Sequence, residues 1–201
     1  MASPNTPRAR KAAIEQFVEP LRRATNKFVD GRLIYETPEL GAEASIMLNN
    51  IEQPTMVPVR NGFQNKLKVL IQLSVKITED SDGLRVTTVG YIHTLWVNGE
   101  EKLSYHWHPL ATPAVAFPHL HYDKGHEHIP TGRVLVEDIL LAALEFGAKP
   151  KPGWKNDVLE ACEAFEADAT WGKVNPKTGP LVRADWLNRW DDEGNPKGEG
   201  L

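Results

Sequence analysis

The strongest constraint on the fold is an almost perfect alternation of apolar and polar residues from Lys66 to Thr78, with Leu70 the one exception. Apolar side chains occupy every second position from Leu67 to Ile77, which is the two-residue period of a β-strand with one buried face. The acidic, glycine-containing segment 79–83 that follows predicts a reversal of the chain. A shift of one residue would bury the lysines of this strand, so the pattern fixes which face lies against the core.

A second hairpin is predicted at Asn98-Gly99, because this dipeptide is the strongest short signal for a two-residue type I′ turn. Regular pairing, counted back from Val97 opposite Glu100, assigns the flanking residues to two faces. An apolar face then carries Ile92, Leu103, Tyr105 and Trp107. The opposite face gathers His93, His106, His108 and Tyr91, together with Lys68, Lys76 and Arg85 from the preceding hairpin.

All seven histidines lie within one segment, 93–128. Four of them form the two His-x-His pairs of the predicted strands, 106/108 and 119/121, and residues two apart on a strand point to the same face. Antiparallel pairing of the two segments would place the second pair beside the first. The seven positions are His93, His106, His108, His119, His121, His126 and His128.

The remaining patterns predict helices and so an α+β fold. Apolar spacing predicts a helix from Lys11 that Pro20 should kink or restart, a helix over Val136–Phe146 that stops at Gly147, and another over Asn156–Asp168. We therefore expect a mainly antiparallel sheet of about four to six strands with helices packed on one face. The expected division is a disordered N-terminus at 1–10, one α+β domain at 11–172 and a tail at 173–201.

Two tryptophans in that tail, Trp186 and Trp190, are four residues apart and would share one face of a short helix. This segment either folds back onto the domain or binds a partner. The lone Cys162 excludes an internal disulfide and is expected in the core, and no apolar run is long enough for a membrane span. We expect a cytoplasmic protein without a membrane partner, and the net charge of −4 argues against a general nucleic-acid coat.

The preferred functional interpretation is cleavage of RNA by acid–base catalysis without a cofactor. Imidazoles titrate near neutral pH, and cationic side chains stabilise the charge that develops on phosphorus. The expected catalytic residues are His119 and His121, with His106 and His108 as the next pair. The expected substrate-binding residues are Lys68, Arg85, Tyr91, Tyr122 and Arg133.

A zinc-dependent hydrolase is the alternative enzyme. His-x-His on one strand with a third histidine on its neighbour is a known zinc geometry with an open position, and the register above offers His93, His106 and His108. Both His-x-His pairs together are another possible ligand set. Asp123 and Glu127 are candidate ligands or orienting groups. A further alternative is a non-enzymatic binding module of a mobile element or defence locus.

The order of motifs also resembles a known family. His106-Trp-His-Pro, Pro118-His-Leu-His, His128-Ile-Pro-Thr-Gly-Arg-Val and a helix that opens with Glu137-Asp138 are similar in layout to the TumE-type toxins of bacterial toxin–antitoxin pairs. The resemblance covers about residues 66–146 and is firmest at His119 and His121. It implies a compact antiparallel sheet, RNA cleavage and a protein antitoxin as partner, which could bind the C-terminal tail. The chain departs from this family in its greater length, its terminal helices and its additional His106/His108 pair.

Overall fold

The computed structural model describes residues 5–60, 66–108, 117–122, 128–131, 133–168 and 186–197. Over these residues the chain is α+β, as predicted, and the sheet has more strands than expected. It forms α1 (Pro7–Phe28), β1 (Leu33–Tyr35), β2 (Glu43–Leu48), β3 (Val57–Pro58), β4 (Leu67–Asp80), β5 (Gly83–Val97), β6 (Glu100–Trp107), β7 (His119–Tyr122), β8 (Ile129–Pro130), α2 (Val136–Glu145) and α3 (Trp154–Asp168).

One antiparallel sheet contains all eight strands in the order β1-β2-β4-β5-β6-β7-β8, and β3 also pairs with β4. The predicted alternation of β4 is confirmed, because every second residue from Leu67 to Ile77 is buried. Helices α1 and α2 cover this face: Phe17 and Val136 line the same small cavity as Leu73. We call this side of the sheet the core face and the other side the outer face.

The type I′ turn is also confirmed, with φ of 55° at Asn98 and 85° at Gly99. Two bulges, however, interrupt the regular pairing that the sequence suggested. In β6, Leu103 pairs with Leu95 and Glu101 with Trp96, so Lys102 is an extra residue. In β5, the corresponding extra residue is Val89, between the pairs that join Gly90 to Ser74 and Thr88 to Val75.

These bulges reverse the faces of residues 90–97 relative to the prediction. His93 pairs with Tyr105 and is fully buried on the core face, and Tyr91 beside it is 3% exposed. The prediction that His93 and Tyr91 share a face with His106 is therefore wrong. The apolar residues of β6 explain the outcome, because without the bulge Ser104 and His106 would occupy the core positions that Tyr105 and Trp107 fill.

Helix α1 begins four residues earlier than predicted. Thr6 caps it by accepting a 3.1 Å hydrogen bond from the Ala9 N–H, and Pro7 occupies the first turn, where a missing N–H costs nothing. The segment predicted to be disordered, 1–10, therefore overlaps this helix. The helix continues through Pro20 as one element. In the described part of the chain, no helix is long and apolar enough to cross a membrane.

The segment 186–197 folds back onto the helices, which decides between the two alternatives for it. The Trp186 and Trp190 rings are 5.7 Å apart, and Leu187 and Trp190 are buried in the core. Lys155 Nζ donates a 2.5 Å hydrogen bond to the Trp190 carbonyl oxygen. Cys162 is buried on α3, as predicted.

Candidate metal centre

Strands β6 and β7 bring the two His-x-His pairs together on the outer face. His106 pairs directly with His119, and His121 pairs with Ser104, two residues earlier on β6. Directly opposed residues of an antiparallel pair point to the same face. The prediction that the second pair lies beside the first is therefore confirmed for His106, whereas His108 lies just beyond the end of β6 and has no partner in this pairing.

A fourth imidazole, from His128 immediately before β8, lies beside those of His119 and His121. We call His106, His119, His121 and His128 the histidine cluster. His119 is buried, His106 and His121 are half-buried, and His128 is exposed. Ring centroids are separated by 4.9 Å for His106–His121, 5.6 Å for His106–His119, 5.1 Å for His119–His121, 4.6 Å for His119–His128 and 4.7 Å for His121–His128. His108 lies at the margin, 5.5 Å from His106.

Hydrogen bonds orient two of these rings. His119 Nδ1 lies 2.8 Å from the Phe117 carbonyl oxygen, which only accepts, so Nδ1 carries the proton and Nε2 keeps its lone pair. His106 Nε2 lies 2.8 Å from Ser104 Oγ, and Ser104 Oγ lies 2.7 Å from Thr94 Oγ1. If Nε2 donates into this pair of buried hydroxyls, the Nδ1 lone pair of His106 is available to a ligand.

Burial and the neighbouring imidazoles hold His106 in its neutral form near neutral pH. Burial lowers the pKa of His106 to about 4, and the neighbouring imidazoles, His121 first, lower it further in the same direction. Burial also lowers the pKa of His108. Neutral imidazole is the form that binds metal ions, whereas a general acid must be protonated near neutral pH.

The geometry suits a transition-metal ion. His106, His119 and His121 each offer one nitrogen, and these three atoms lie within 4.8 Å of one another. Zinc bonds to histidine nitrogen at about 2.0–2.1 Å, which in a tetrahedral site separates the nitrogens by about 3.4 Å. Small side-chain rotations would close that difference. The hydrogen bonds on His106 and His119 match the outer contacts of metal-binding histidines, which hold the second ring nitrogen.

Two predicted substrate-binding residues lie on the other side of the sheet. The Tyr91 hydroxyl accepts a 3.0 Å hydrogen bond from the Val134 N–H on the core face. Arg133 stacks 4.5 Å above the Trp107 ring and donates a 2.7 Å hydrogen bond to the Thr88 carbonyl oxygen. Both side chains connect the sheet to the start of α2 and do not reach the histidine cluster.

The remaining predicted residues do not join the cluster either. Lys68 pairs with Trp96, beyond the bulge and near the hairpin turn. Arg85 forms ion pairs of 2.8 Å with Asp80 and 3.1 Å with Asp82 in the other turn. Tyr122 is 59% exposed at the end of β7, where alternation turns it away from His121. Asp123, Glu127 and His126 lie outside the described residues.

Of the predicted zinc ligands His93, His106 and His108, only His106 belongs to the converging group. His93 is separated from it by the sheet itself, and His108 lies at its margin. The zinc hypothesis also overlooked three groups that the structure brings to the site: Ser104, Thr94 and His128. A signal existed for Ser104, because it precedes His106 by two residues on the same strand and so shares its face. Comparison of the chain with protein-family models, curated proteins and solved structures finds no match.

Proposed function

We propose that the histidine cluster binds a zinc-class metal ion and that the protein is a metal-dependent hydrolase. The observation that carries this proposal is the convergence of three imidazole nitrogens, from His106, His119 and His121, to within 4.8 Å of one another. Three histidines that leave one position open are the ligand set of several catalytic zinc sites. Such an ion supplies a water of lowered pKa as nucleophile and polarises the bond under attack.

Neighbouring groups hold two of the three histidine rings in place, as a catalytic site requires. His119 is fixed by a main-chain carbonyl and His106 by Ser104, so both rings are oriented before any ion arrives. His121 is half-buried on the outer face, so a substrate in solution has access to that side. Nitrogen ligands without thiolate among the described residues favour zinc, copper, nickel or iron over magnesium and calcium.

RNA is the first substrate class to test, because the motif order resembles that of RNA-cleaving toxins. The proposal places this activity in the cytoplasm, where the single buried thiol Cys162 suits a reducing environment. A protein partner of the antitoxin type is part of the same proposal. Segment 186–197 is a poor candidate for its binding site, because Leu187 and Trp190 are buried within this chain.

The second candidate is RNA cleavage without a metal, with His119 and His121 as base and acid. Their rings are 5.1 Å apart on one face, close enough to act on one phosphodiester. The low pKa of His106 weighs against that residue as a general acid near neutral pH. The two candidates differ in their nucleophile, which is water in the first and the RNA 2′-hydroxyl in the second.

One experiment separates them. The full chain is stripped with chelator, reloaded with Zn²⁺ and assayed on an RNA oligonucleotide and on the same oligonucleotide with 2′-deoxy sugars. Metal-dependent hydrolysis predicts that chelator abolishes cleavage, that Zn²⁺ restores it, and that the deoxy substrate is still cut. Full cleavage in chelator, confined to the 2′-hydroxyl substrate, supports the second candidate.

A matched pair of variants tests the site itself. We expect His121→Ala to lower cleavage by roughly 10²–10⁴-fold, the usual contribution of one positioned catalytic group. His108→Ala is the control, since His108 borders the cluster but is not one of the three converging residues. Stoichiometric zinc without hydrolysis of either substrate would leave a binding module as the function of the site.

A further inference from the structure

The three converging histidines are held much more firmly than the fourth. His106 and His119 form directly opposed positions of β6 and β7, and His121 is paired with Ser104 in the same ladder. Hydrogen bonds to Ser104 and Phe117 fix two of the rings. Three ligands are thus attached to a rigid scaffold, which keeps a metal site in one geometry.

His128 lies against this group but is attached differently. Its ring stands nearly perpendicular to those of His119 and His121, at interplanar angles of 90° and 77°. It precedes β8, a strand of two residues at the edge of the sheet, and its side chain is exposed. Among the described residues, no hydrogen bond fixes the His128 ring.

We propose that His128 is a fourth, displaceable ligand, which closes the metal site at rest and leaves when an anionic oxygen of the substrate binds. This inference rests on the proposed function. The distances support it, because the ring of His128 is closer to those of His119 and His121 than either is to the ring of His106. Only a rotation of this exposed side chain is needed to bring a nitrogen toward the other three.

The chemistry explains why one ligand should leave more easily than the others. Four imidazoles complete a tetrahedral zinc site, which is the closed arrangement of structural sites, whereas catalysis needs an open position. Hydrogen bonds to Ser104 and Phe117 oppose rotation of the His106 and His119 rings, and the paired backbone of β7 holds His121. Within the described part of the chain, His128 belongs to no strand pairing, and its side chain is exposed. The site therefore has one ligand that exchanges at low cost.

Cobalt(II) and azide provide the test. The full chain is loaded with Co²⁺, whose visible absorption reports coordination number, and azide is titrated as an anion that occupies an open position. We expect the wild type to bind azide weakly and His128→Ala to bind it at least about 10-fold more tightly, with Co²⁺ affinity lowered by roughly 10–100-fold, an effect no smaller than the loss of an outer-shell partner. His108→Ala should match the wild type in both titrations.

The outcomes keep this inference separate from the function on which it rests. Co²⁺ spectra and azide affinities that are the same in the wild type and His128→Ala would overturn the role of His128 and leave the three-histidine site intact. A wild-type protein that binds neither Co²⁺ nor Zn²⁺ would overturn the proposed function itself. Far-ultraviolet circular dichroism of each variant verifies folding, which substitution of an exposed residue should leave unchanged.

Discussion

The sheet presents histidine in two opposite environments, one on each face. On the core face, His93 is fully buried, stacked 5.0 Å from the Tyr91 ring, and neither ring nitrogen has a hydrogen-bond partner among the described residues. On the outer face, the histidine cluster is only partly buried, and two of its rings have orienting partners. The comparison shows that burial alone does not bring ring nitrogens together, whereas in the cluster three of them lie within 4.8 Å of one another.

Burial is the main cause of the lowered histidine pKa on both faces, and the contribution of neighbouring imidazoles differs. Burial lowers the pKa of His93 to about 3, and only a small contribution comes from another imidazole, His106. For His106, burial is again the largest cause, and four neighbouring imidazoles lower the pKa further. A metal ion would bind the nitrogen lone pairs that converge in the cluster, whereas His93 lies alone in the core and remains neutral.

The largest expected effect comes from removing a ligand on the outer face. His119→Ala should lower zinc affinity by more than about 100-fold, exceeding what loss of an outer-shell partner costs, while His93→Leu should leave it unchanged. Competition with a chromogenic chelator measures both. An equal loss of zinc affinity in the two variants would contradict this difference between the faces, because the buried His93 would then be part of the site.

A smaller effect is expected from the hydroxyl behind His106. Ser104→Ala removes the 2.8 Å contact to Nε2 and should weaken zinc binding by roughly 10–100-fold. Ser104→Thr retains a hydroxyl on the same face and is the matched control. Unchanged affinity in Ser104→Ala would show that His106 needs no orienting partner.

The third prediction concerns pH and the core face. Because the pKa of His93 is lowered from 6.5 to about 3, the unfolded chain binds a proton that the folded chain excludes. Stability should therefore fall as pH decreases from 6.5 toward 3, by up to about 1.4 kcal/mol for each pH unit. His93→Leu should reduce this slope by that amount and leave stability at pH 7 equal or higher, since it removes two buried nitrogens without partners.

Urea denaturation of the wild type and His93→Leu at several pH values between 7 and 5 measures the difference. The difference in stability between the two proteins does not include the contribution of the outer histidines, because both proteins contain them. Parallel stability curves for the two proteins would show that His93 is accessible to protons in the folded state.

The smallest effect is expected from the cations that the structure places away from the cluster. Arg85→Gln removes two partly exposed ion pairs with Asp80 and Asp82, so stability should fall by no more than about 1 kcal/mol. Zinc affinity and RNA cleavage should stay within about twofold of the wild type, because surface substitutions distant from a site are nearly neutral. A large loss of RNA binding would bring Arg85 back into the substrate site.

The elements that the sequence predicts well are those with a strong local signal. The alternation of β4, the Asn98-Gly99 turn and the glycine that ends α2, at φ 91°, are all observed. The two bulges carry no such signal, since Val89 and Lys102 are ordinary strand residues. Each bulge shifts the pairing by one residue and so exchanges the two faces of the strand that follows. Regular pairing therefore assigns His93 to the wrong face.

The outer-face site was nevertheless partly predictable, because β6 carries its own alternation. Leu103, Tyr105 and Trp107 turn toward the core, and this sends His106 outward however β5 is paired. The contribution of His128 depends on how β8 returns to β7 at the sheet edge, a tertiary relation without a periodic pattern. Sequence alone gave no reason to prefer it over its neighbour His126.

The fold-back of 186–197 has a consequence for how the protein is made. Leu187 and Trp190 complete the core that α1 begins, and α1 meets α3 through Phe28 and Trp154, whose rings are 5.6 Å apart. Helix α1 is thus synthesised more than a hundred residues before α3, with which it packs. Contacts of such long sequence separation slow folding. Completion of the core is therefore expected to follow translation of residue 190, and a nascent chain that stalls before it would expose apolar surface to chaperones.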